Sequence, residues 1–319
     1  MNKPVGFCLA VLFALAPFAA GAQSFPTKPV RIIVPNSPGG AMDILANLYA
    51  THLRQMWNQS VVIEYKPGAN NVVGTDFTAK AEPDGHTICV VATPHVINPA
   101  MRKLPYDTVK DLAGITLIGI SPVLISATPN LPASTFPDLI ALAKKPGSKL
   151  NFATAGAGSS MHLAGELIKL QTGVDMQHIA FKGAGPAYPE VMAGRVELII
   201  DPMFSSMPHV RAGKMKAIAI TSGKRVASAP DIPALGEFIQ GFNVESINGM
   251  VLPRGTPRAI VNRINADFVR VLEIPEAKAR MAEFGIIPVG NSAEQFDTMI
   301  QGEIAKWTRV IRDAKIQLD

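Results

Sequence analysis

Short apolar runs alternate with longer amphipathic stretches along most of the chain. The run VRIIVP at 30–35 predicts a buried strand, and residues 41–57 predict a helix because their apolar side chains recur every three or four positions. Strands are predicted again over 60–66 and 87–93, with a helix over 72–81 between them. This order of strands and helices predicts a mainly parallel sheet covered by helices.

A mainly extended segment over 113–128 interrupts this alternation, which then starts again with further apolar runs and amphipathic stretches. A second extended run, NVESINGMVLP at 243–253, precedes C-terminal helices over 257–284 and 292–314. Two such crossings predict an α/β protein of two lobes that are joined by two strands. A cleft between two α/β lobes is a favoured place for a ligand.

The predicted lobes are not continuous in the sequence. We expect residues 23–123 and 248–319 to form the first lobe and residues 124–247 to form the second. In this arrangement the C-terminal helices return to the first lobe.

The first 22 residues have a different pattern. A short basic start, Met1-Asn2-Lys3, is followed by an apolar run that ends in Ala20-Gly21-Ala22. This pattern is typical of a secretory signal that is cleaved after small residues, and the run is short for a membrane span. We therefore expect an exported protein whose mature chain begins at Gln23. A short N-terminal anchor is the alternative.

Composition narrows the class of protein. The chain has 319 residues, of which 48% are hydrophobic and 17% charged, as expected for a globular protein with room for two domains. The net charge is +5, but no run of Lys and Arg exceeds two residues, so we expect no nucleic-acid partner. The basic surface either attracts small anions or is unspecialised. The sequence has no apolar stripe that requires a partner, so we expect a monomer.

Cysteine and histidine usage argues against a disulfide, a metal or a cofactor. Cys8 falls inside the predicted signal, which leaves Cys89 as the single cysteine of the mature chain. Cys89 lies in an apolar run and is predicted to be a buried core residue. The six histidines are scattered, and no paired spacing typical of a zinc site occurs.

Three turns between a strand and a helix contain glycines. The first contains Gly39 and Gly40, the second is GAGSS at 156–160, and the third contains Lys182 and Gly183. Glycine lets a ligand approach the backbone, and the N-terminus of a helix offers free N–H groups to an anion. These turns predict a cleft for a small anion such as a carboxylate, phosphate or sulfate. The alternative is that each is only a tight turn.

Single residues near these turns leave two roles open. Asp43 either favours the start of its helix or orients a ligand amine or a water. Ser159 or Ser160 either caps a helix or donates to an anion. His162 is more typical of a partly buried histidine than of a ligand group. Asp201 is either a ligand contact or a cap of its loop.

A serine hydrolase is the enzymatic alternative. Ser160, His162 and Asp201 have the residue types of a catalytic triad, but GAGSSM does not match the G-x-S-x-G pattern. Ser160 and His162 are two positions apart at a helix start, so their side chains should point away from each other. We therefore expect no catalytic residue.

Long stretches of the mature chain resemble a known family. They include FPTKPVRIIVPNSPGGAMD at 25–43, VVIEYKPGANNVVGTDFTAKAEPDGHT at 61–87, and the segment 150–201 from LNFATAGAGSSMHLAGE to VELIID. The chain resembles the periplasmic substrate-binding proteins of tripartite tricarboxylate transporters, the Bug-type or TctC-type receptors. The resemblance implies a type II-like, two-lobed periplasmic binding protein that closes on a small organic carboxylate. It also implies delivery to inner-membrane permease subunits that use an ion gradient.

The resemblance also implies which residues bind the ligand. They come from the three glycine turns, the starts of the helices that follow them and two further strand ends: Asn36, Ser37, Pro38, Gly39, Gly40, Asp43, Thr93, Ala155, Gly156, Gly158, Ser159, Ser160, His162, Lys182, Gly183 and Asp201.

Three positions depart from the family's usual pattern. The family commonly has an aromatic residue where Asn36 stands, a glycine where Ala41 stands and often a tryptophan where Ile247 stands. The carboxylate is therefore not identified: di- and tricarboxylates, acidic amino acids and aromatic acids all fit. A periplasmic sensor or scavenger that serves a signalling partner is the rival to a transport receptor.

Overall fold

The computed structural model describes residues 25–38, 41–181 and 184–314. The predicted signal segment lies outside the described residues, as do four of the predicted site residues: Gly39, Gly40, Lys182 and Gly183.

Strands and helices alternate along the described chain. The strands are β1 (Val30–Val34), β2 (Val61–Tyr65), β3 (Thr87–Ala92), β4 (Leu112–Ser121), β5 (Val123–Ala127), β6 (Leu150–Thr154), β7 (Met176–Ala180), β8 (Leu198–Pro202), β9 (Lys216–Ile220), β10 (Ser246–Pro253) and β11 (Ile287–Pro288). The helices are α1 (Ala41–Trp57), α2 (Val72–Ala79), α3 (Pro94–Met101), α4 (Phe136–Ala143), α5 (Ser160–Thr172), α6 (Ala187–Met192), α7 (Met203–Arg211), α8 (Arg258–Glu273), α9 (Pro275–Glu283) and α10 (Ala293–Asp313).

The strands form two mixed sheets. The first has the order β11-β4-β10-β3-β1-β2 and the second the order β7-β6-β8-β5-β9. Strand β1 runs parallel to β2 and β3, and β6 runs parallel to β7 and β8. The other pairs are antiparallel, because the extended segments predicted as crossings are themselves strands of the sheets. The α/β class is confirmed, whereas the expectation of mainly parallel sheets is wrong.

Two passages of chain connect the sheets. In the first sheet Ser121 pairs with Ser246, and Val123 already belongs to the second sheet. The Thr221 hydroxyl donates to the carbonyl of Val244 at 2.6 Å, and its N–H donates to the carbonyl of Val123 at 2.9 Å. Sheet membership therefore changes within 121–123 and 244–246, whereas the sequence-predicted lobe boundaries follow residues 123 and 247.

Helix α10 packs on the connecting strands. A side chain at Gly249 would overlap the ring of Phe296, so glycine allows this ring to lie on β10. One carboxylate oxygen of Asp297 accepts the N–H of Gly114 at 2.7 Å, and the other accepts Arg254 Nη1 at 2.7 Å. Helix α10 thus packs against the first sheet.

Candidate functional site

The turn after β1 presents polar side chains to solvent. Asn36, Ser37 and Pro38 are exposed, and the Asn36 side-chain oxygen accepts the N–H of Ser37 at 2.8 Å. The preceding residue, Pro35, is buried against α2. A Cβ at Gly74 would lie 2.7 Å from the Cβ of Pro35, so the absence of a side chain lets α2 support the turn closely.

Asp43 connects the first turn of α1 to the end of β2. Its Oδ1 accepts the Tyr65 hydroxyl at 2.6 Å and Nδ2 of Asn47 at 2.6 Å. The hydrogen bond to this carboxylate raises the pKa of the Tyr65 phenol. A negative side chain at this position also favours the helix N-terminus, which is one of the two roles predicted for Asp43.

Thr93 links β3 to the passage between the sheets. Its hydroxyl accepts the N–H of Ile247 at 3.1 Å and lies 3.4 Å from the hydroxyl of Ser246. Thr93 is buried, and so is Ile247, one of the positions that departs from the family's pattern. The Thr93 side chain therefore joins the end of β3 to the start of β10, where the second passage enters the first sheet.

Helix α3, which directly follows Thr93, was missed in the sequence. It brings Asn98 next to Asn70: Nδ2 of Asn98 donates to the carbonyl of Asn70 at 2.9 Å, and Nδ2 of Asn70 donates to Oδ1 of Asn98 at 3.2 Å. The same helix buries His95, and burial lowers the pKa of this imidazole to about 4. The helix has prolines at its first position and in its interior, and an interior proline disfavours a helix.

The loop after β6 is built from internal hydrogen bonds. Ser159 is the N-cap of α5: its hydroxyl accepts the N–H of His162 at 3.2 Å and donates to the carbonyl of Gly156 at 2.8 Å. Gly158 has a φ of +70°, a conformation that favours glycine. Capping is one of the two roles predicted for Ser159. Ala155 and Gly156 are half-buried and Gly158 is buried.

The imidazole of His162 accepts a hydrogen bond from one backbone N–H group of this loop. Its Nδ1 accepts the N–H of Gly158 at 3.0 Å. In the first turn of α5, the N–H groups of Ser160 and Met161 have no carbonyl four residues earlier within the helix. These two groups, unlike the N–H of Gly158, are therefore backbone donors that this loop can offer to an anion.

His178 is a residue of this region that the sequence analysis missed. Its ring stacks on that of His162, with centroids 3.8 Å apart and an angle of 15° between the planes. Its Nε2 lies 2.7 Å from the hydroxyl of Thr154. Burial, with the positive charge of Lys169 as a smaller cause, lowers the pKa of His162 to about 4. The pKa of His178 is lowered to about 4 by burial, by His162 and by Lys169. Both rings are neutral at neutral pH.

Asp201 lies at the end of β8 with its carboxylate inside the protein. Its Oδ2 accepts the Tyr188 hydroxyl at 2.7 Å, and this hydroxyl lies 3.2 Å from that of Ser206. Burial raises the pKa of Asp201 to about 6, although the hydrogen bond from Tyr188 opposes this shift. Burial, and after it the negative charge of Asp201, raise the pKa of Tyr188.

The residue types of a catalytic triad have other partners here. The Ser160 hydroxyl is directed to the sulfur of Met161 at 3.1 Å, the His162 Nδ1 accepts from Gly158, and Asp201 accepts from Tyr188. These contacts join none of the three side chains to another.

Cys89 lies on β3, inside the first sheet. Cys89 is fully buried, which confirms the predicted core position. Burial raises the pKa of its thiol to about 12.

Over 25–38, 41–181 and 184–314, no three His, Cys, Asp or Glu side chains are grouped to hold a metal ion. None of the helices in these ranges combines the length and the apolar character that a membrane span requires.

A separate cavity has none of these loops in its walls. Its walls come mainly from 222–228 and 282–288, and Ile120 and Phe242 also line it; its volume is about 800 Å³. It contains none of the predicted site residues.

Comparison with known proteins identifies the family. The profile of the family described as the tripartite tricarboxylate transporter family receptor, TctC, matches residues 45–316. The protein BugT of Bordetella pertussis is 30% identical over 318 residues, which cover 98% of this chain and 97% of BugT.

Solved structures agree with this assignment. A Rhodopseudomonas palustris protein in complex with adipate is 31% identical, with a TM-score of 0.77 over 92% of this chain and 99% of that protein. MatC from Rhodopseudomonas palustris with bound malate is 30% identical, with a TM-score of 0.72 over 90% of this chain and 100% of MatC. The two-lobed fold of a periplasmic binding protein is thereby confirmed. This chain belongs to the TctC family of tripartite tricarboxylate transporter receptors.

Proposed function

We propose that the protein is a non-catalytic periplasmic receptor that captures a small organic carboxylate in the cleft between its lobes. The observation that carries this proposal is the loop after β6, where Ser159 caps α5 and the N–H groups of Ser160 and Met161 remain available. A helix N-terminus with free N–H groups suits a negatively charged ligand. The carboxylates bound to the two Rhodopseudomonas palustris relatives, adipate and malate, belong to this chemical class.

The second lobe holds one carboxylate at the start of α5, and the first lobe contacts the rest of the ligand. The first-lobe contacts are Asn36, Ser37, Pro38, Gly39 and Gly40 in the turn before α1, together with Asp43. Thr93, Ala155, Gly156, Gly158, Lys182, Gly183 and Asp201 line the remainder of the site. The ligand stabilises a closed arrangement of the lobes, and its affinity difference between the open and closed states drives the closure.

The proposed place of action is the periplasm. Residues 1–22 have the pattern of a cleavable secretory signal, and the family is one of transport receptors. We infer that the closed form delivers its ligand to the membrane subunits of a tripartite tricarboxylate-type permease.

The function is tested with the mature chain, residues 23–319, in a thermal-shift and calorimetric screen. The panel contains adipate, malate, acidic amino acids and benzene dicarboxylates, each matched with its uncharged amide. A ligand that binds only the folded protein raises the unfolding temperature by mass action. We expect one carboxylate to stabilise the protein and its amide to have no effect.

Two results would contradict the proposal. One is equal stabilisation by a carboxylate and its amide, since the charge would then be irrelevant. The other is the absence of any carboxylate binding by protein that was unfolded, freed of copurified ligand and refolded. Mass spectrometry of the material released on unfolding identifies a ligand carried over from expression.

A further inference from the structure

The stacked rings of His162 and His178 lie behind the loop after β6 and contact it at two points. His162 accepts the Gly158 N–H at 3.0 Å, and His178 reaches the Thr154 hydroxyl at 2.7 Å. The same Thr154 hydroxyl lies 3.1 Å from the carbonyl and 3.3 Å from the N–H of Gly156. Each imidazole is thus connected to a different end of the segment that precedes α5.

The contact with Gly158 determines the tautomer of His162. A backbone N–H can only donate, so the Nδ1 that receives it must carry no proton. In the neutral ring the proton then resides on Nε2, which lies 3.8 Å from a carboxylate oxygen of Glu166. Glu166 is in turn paired with Lys169 at 3.0 Å.

The packing around the rings fixes their orientation. Phe152 lies 5.1 Å from His178, centroid to centroid, and its ring fills the space that a side chain at Gly165 would occupy. In the register of the second sheet, Phe152 pairs directly with His178. Strand β6, through Phe152, and helix α5 therefore restrict the orientation of the two imidazoles.

We propose that His162 is a positioning residue for the carboxylate-binding loop, and that His178 holds the His162 ring in place. The Nδ1 of His162 binds the N–H of Gly158 and thereby directs the N–H groups of Ser160 and Met161 towards the ligand. This inference rests on the proposed function for the ligand's identity, but the geometry of the loop can be tested without a ligand.

The decisive comparison is between two amides at position 162. In His162→Asn the side-chain oxygen is as many bonds from the backbone as Nδ1, so the acceptor is retained. In His162→Gln the oxygen is placed where Nε2 was, so the acceptor for Gly158 is lost. With adipate and malate as probes, we expect His162→Asn to bind within about 3-fold of the parent. We expect His162→Gln and His162→Ala to bind about 10-fold more weakly, the usual effect of one lost hydrogen bond.

Two measurements on the ligand-free protein complete the test. Two-bond ¹H–¹⁵N spectra of the parent should show an unprotonated Nδ1 and a protonated Nε2 for His162, with the signals assigned by their loss in His162→Asn. Hydrogen exchange of the Gly158 amide should be slow in the parent and in His162→Asn, and fast in His162→Gln.

The outcomes separate this inference from the proposed function. A proton on Nδ1, or equal Gly158 exchange in the Asn and Gln variants, overturns the positioning role whatever the ligand is. Binding of a carboxylate that is equally strong in both variants overturns it as well. If no carboxylate binds the parent, the proposed function fails, while the exchange and the tautomer still decide whether His162 fixes the loop.

Discussion

The turn after β1 and the loop after β6 occupy matching places in the two sheets, yet their side chains are held differently. Each strand lies between two parallel neighbours and leads into a helix, α1 or α5. The third residue of each helix, Asp43 or His162, accepts hydrogen bonds. Residues 36–38 of the turn after β1 are exposed, whereas the loop after β6 is connected internally to the buried imidazole of His162 and the half-buried imidazole of His178.

This difference indicates a division of roles between the lobes. A loop fixed by internal hydrogen bonds can present the same backbone donors to any carboxylate, because its geometry does not depend on the ligand. Exposed side chains such as Asn36 can change without a cost in packing. We therefore expect the second lobe to hold the carboxylate group that all ligands share, and the first lobe to distinguish one ligand from another.

The largest expected effect comes from filling the space beside the ring pair. In Gly165→Ala the new Cβ would overlap the Phe152 ring, which lies against His178. We expect the free energy of unfolding to fall by about 3 kcal/mol, at the upper end of the range for overpacked cores. Urea unfolding measures the change, and binding of the carboxylate should weaken with it.

Gly302→Ala is the matched control, since both glycines lie within helices. A Cβ at Gly302 has no atom within 4 Å, and alanine is the better helix former by about 1 kcal/mol. This variant should therefore be more stable than the parent. If both variants shift stability in the same direction, the close packing of Phe152 on α5 is not what constrains this region.

The next effect concerns the pH dependence of the second lobe. Asp201 has a pKa raised from 3.8 to about 6, so its protonated form favours folding and this contribution is lost as the pH rises through that window. At about 1.4 kcal/mol per pKa unit, the raised pKa corresponds to about 2–3 kcal/mol. In Asp201→Asn the group no longer ionises and can still accept from Tyr188. The variant should therefore gain about 2 kcal/mol on the parent between pH 4 and pH 7.

His162 and His178 make the free energy of unfolding depend on pH in the opposite direction to Asp201. This dependence is the same in the parent and in Asp201→Asn. Their pKa values are lowered from 6.5 to about 4, so stability is lost as the pH falls from 6.5 towards 4. Subtracting the parent's free energy of unfolding from that of Asp201→Asn at each pH removes the contribution of the two histidines. A difference between the two urea-unfolding curves that stays constant from pH 4 to pH 7 would contradict the raised pKa of Asp201.

The sequence predicts the strands, helices and caps that depend on local signals better than the tertiary contacts between them. Strand β1, helix α1 and the capped start of α5 were predictable, because apolar spacing, glycines and a capping serine are local signals. The stacking of His162 on His178 was not, because it depends on the pairing of β6 with β7.

The other features that were not predicted also depend on tertiary contacts. The antiparallel pairing of β4 with β10 joins segments far apart in sequence, so no local pattern specifies it. Asp201 was predictable as a residue at a strand end, whereas its bond to Tyr188 is a tertiary contact. Helix α3 has only eight residues and an internal proline, and packing rather than propensity makes it helical.

A smaller effect is expected from the cap of α5. Ser159→Ala removes the acceptor for the His162 N–H and should lower the free energy of unfolding by about 1 kcal/mol. If the second lobe holds the group that all ligands share, affinity for every carboxylate should fall by a similar factor. Calorimetry with several carboxylates tests this, and a loss confined to one of them would assign selectivity to the second lobe.

The smallest effect on stability, and the sharpest test of the comparison, comes from Asn36→Ala. Asn36 is exposed, and among the described residues its side chain accepts only the neighbouring Ser37 N–H, so stability should change by less than about 0.5 kcal/mol. The rank order of carboxylate affinities should nevertheless change, whereas Ser159→Ala preserves it. If Asn36→Ala leaves the rank order intact and Ser159→Ala alters it, the roles of the two lobes are reversed. The second-lobe loop would then have to adapt to each ligand, which its internal hydrogen bonds oppose.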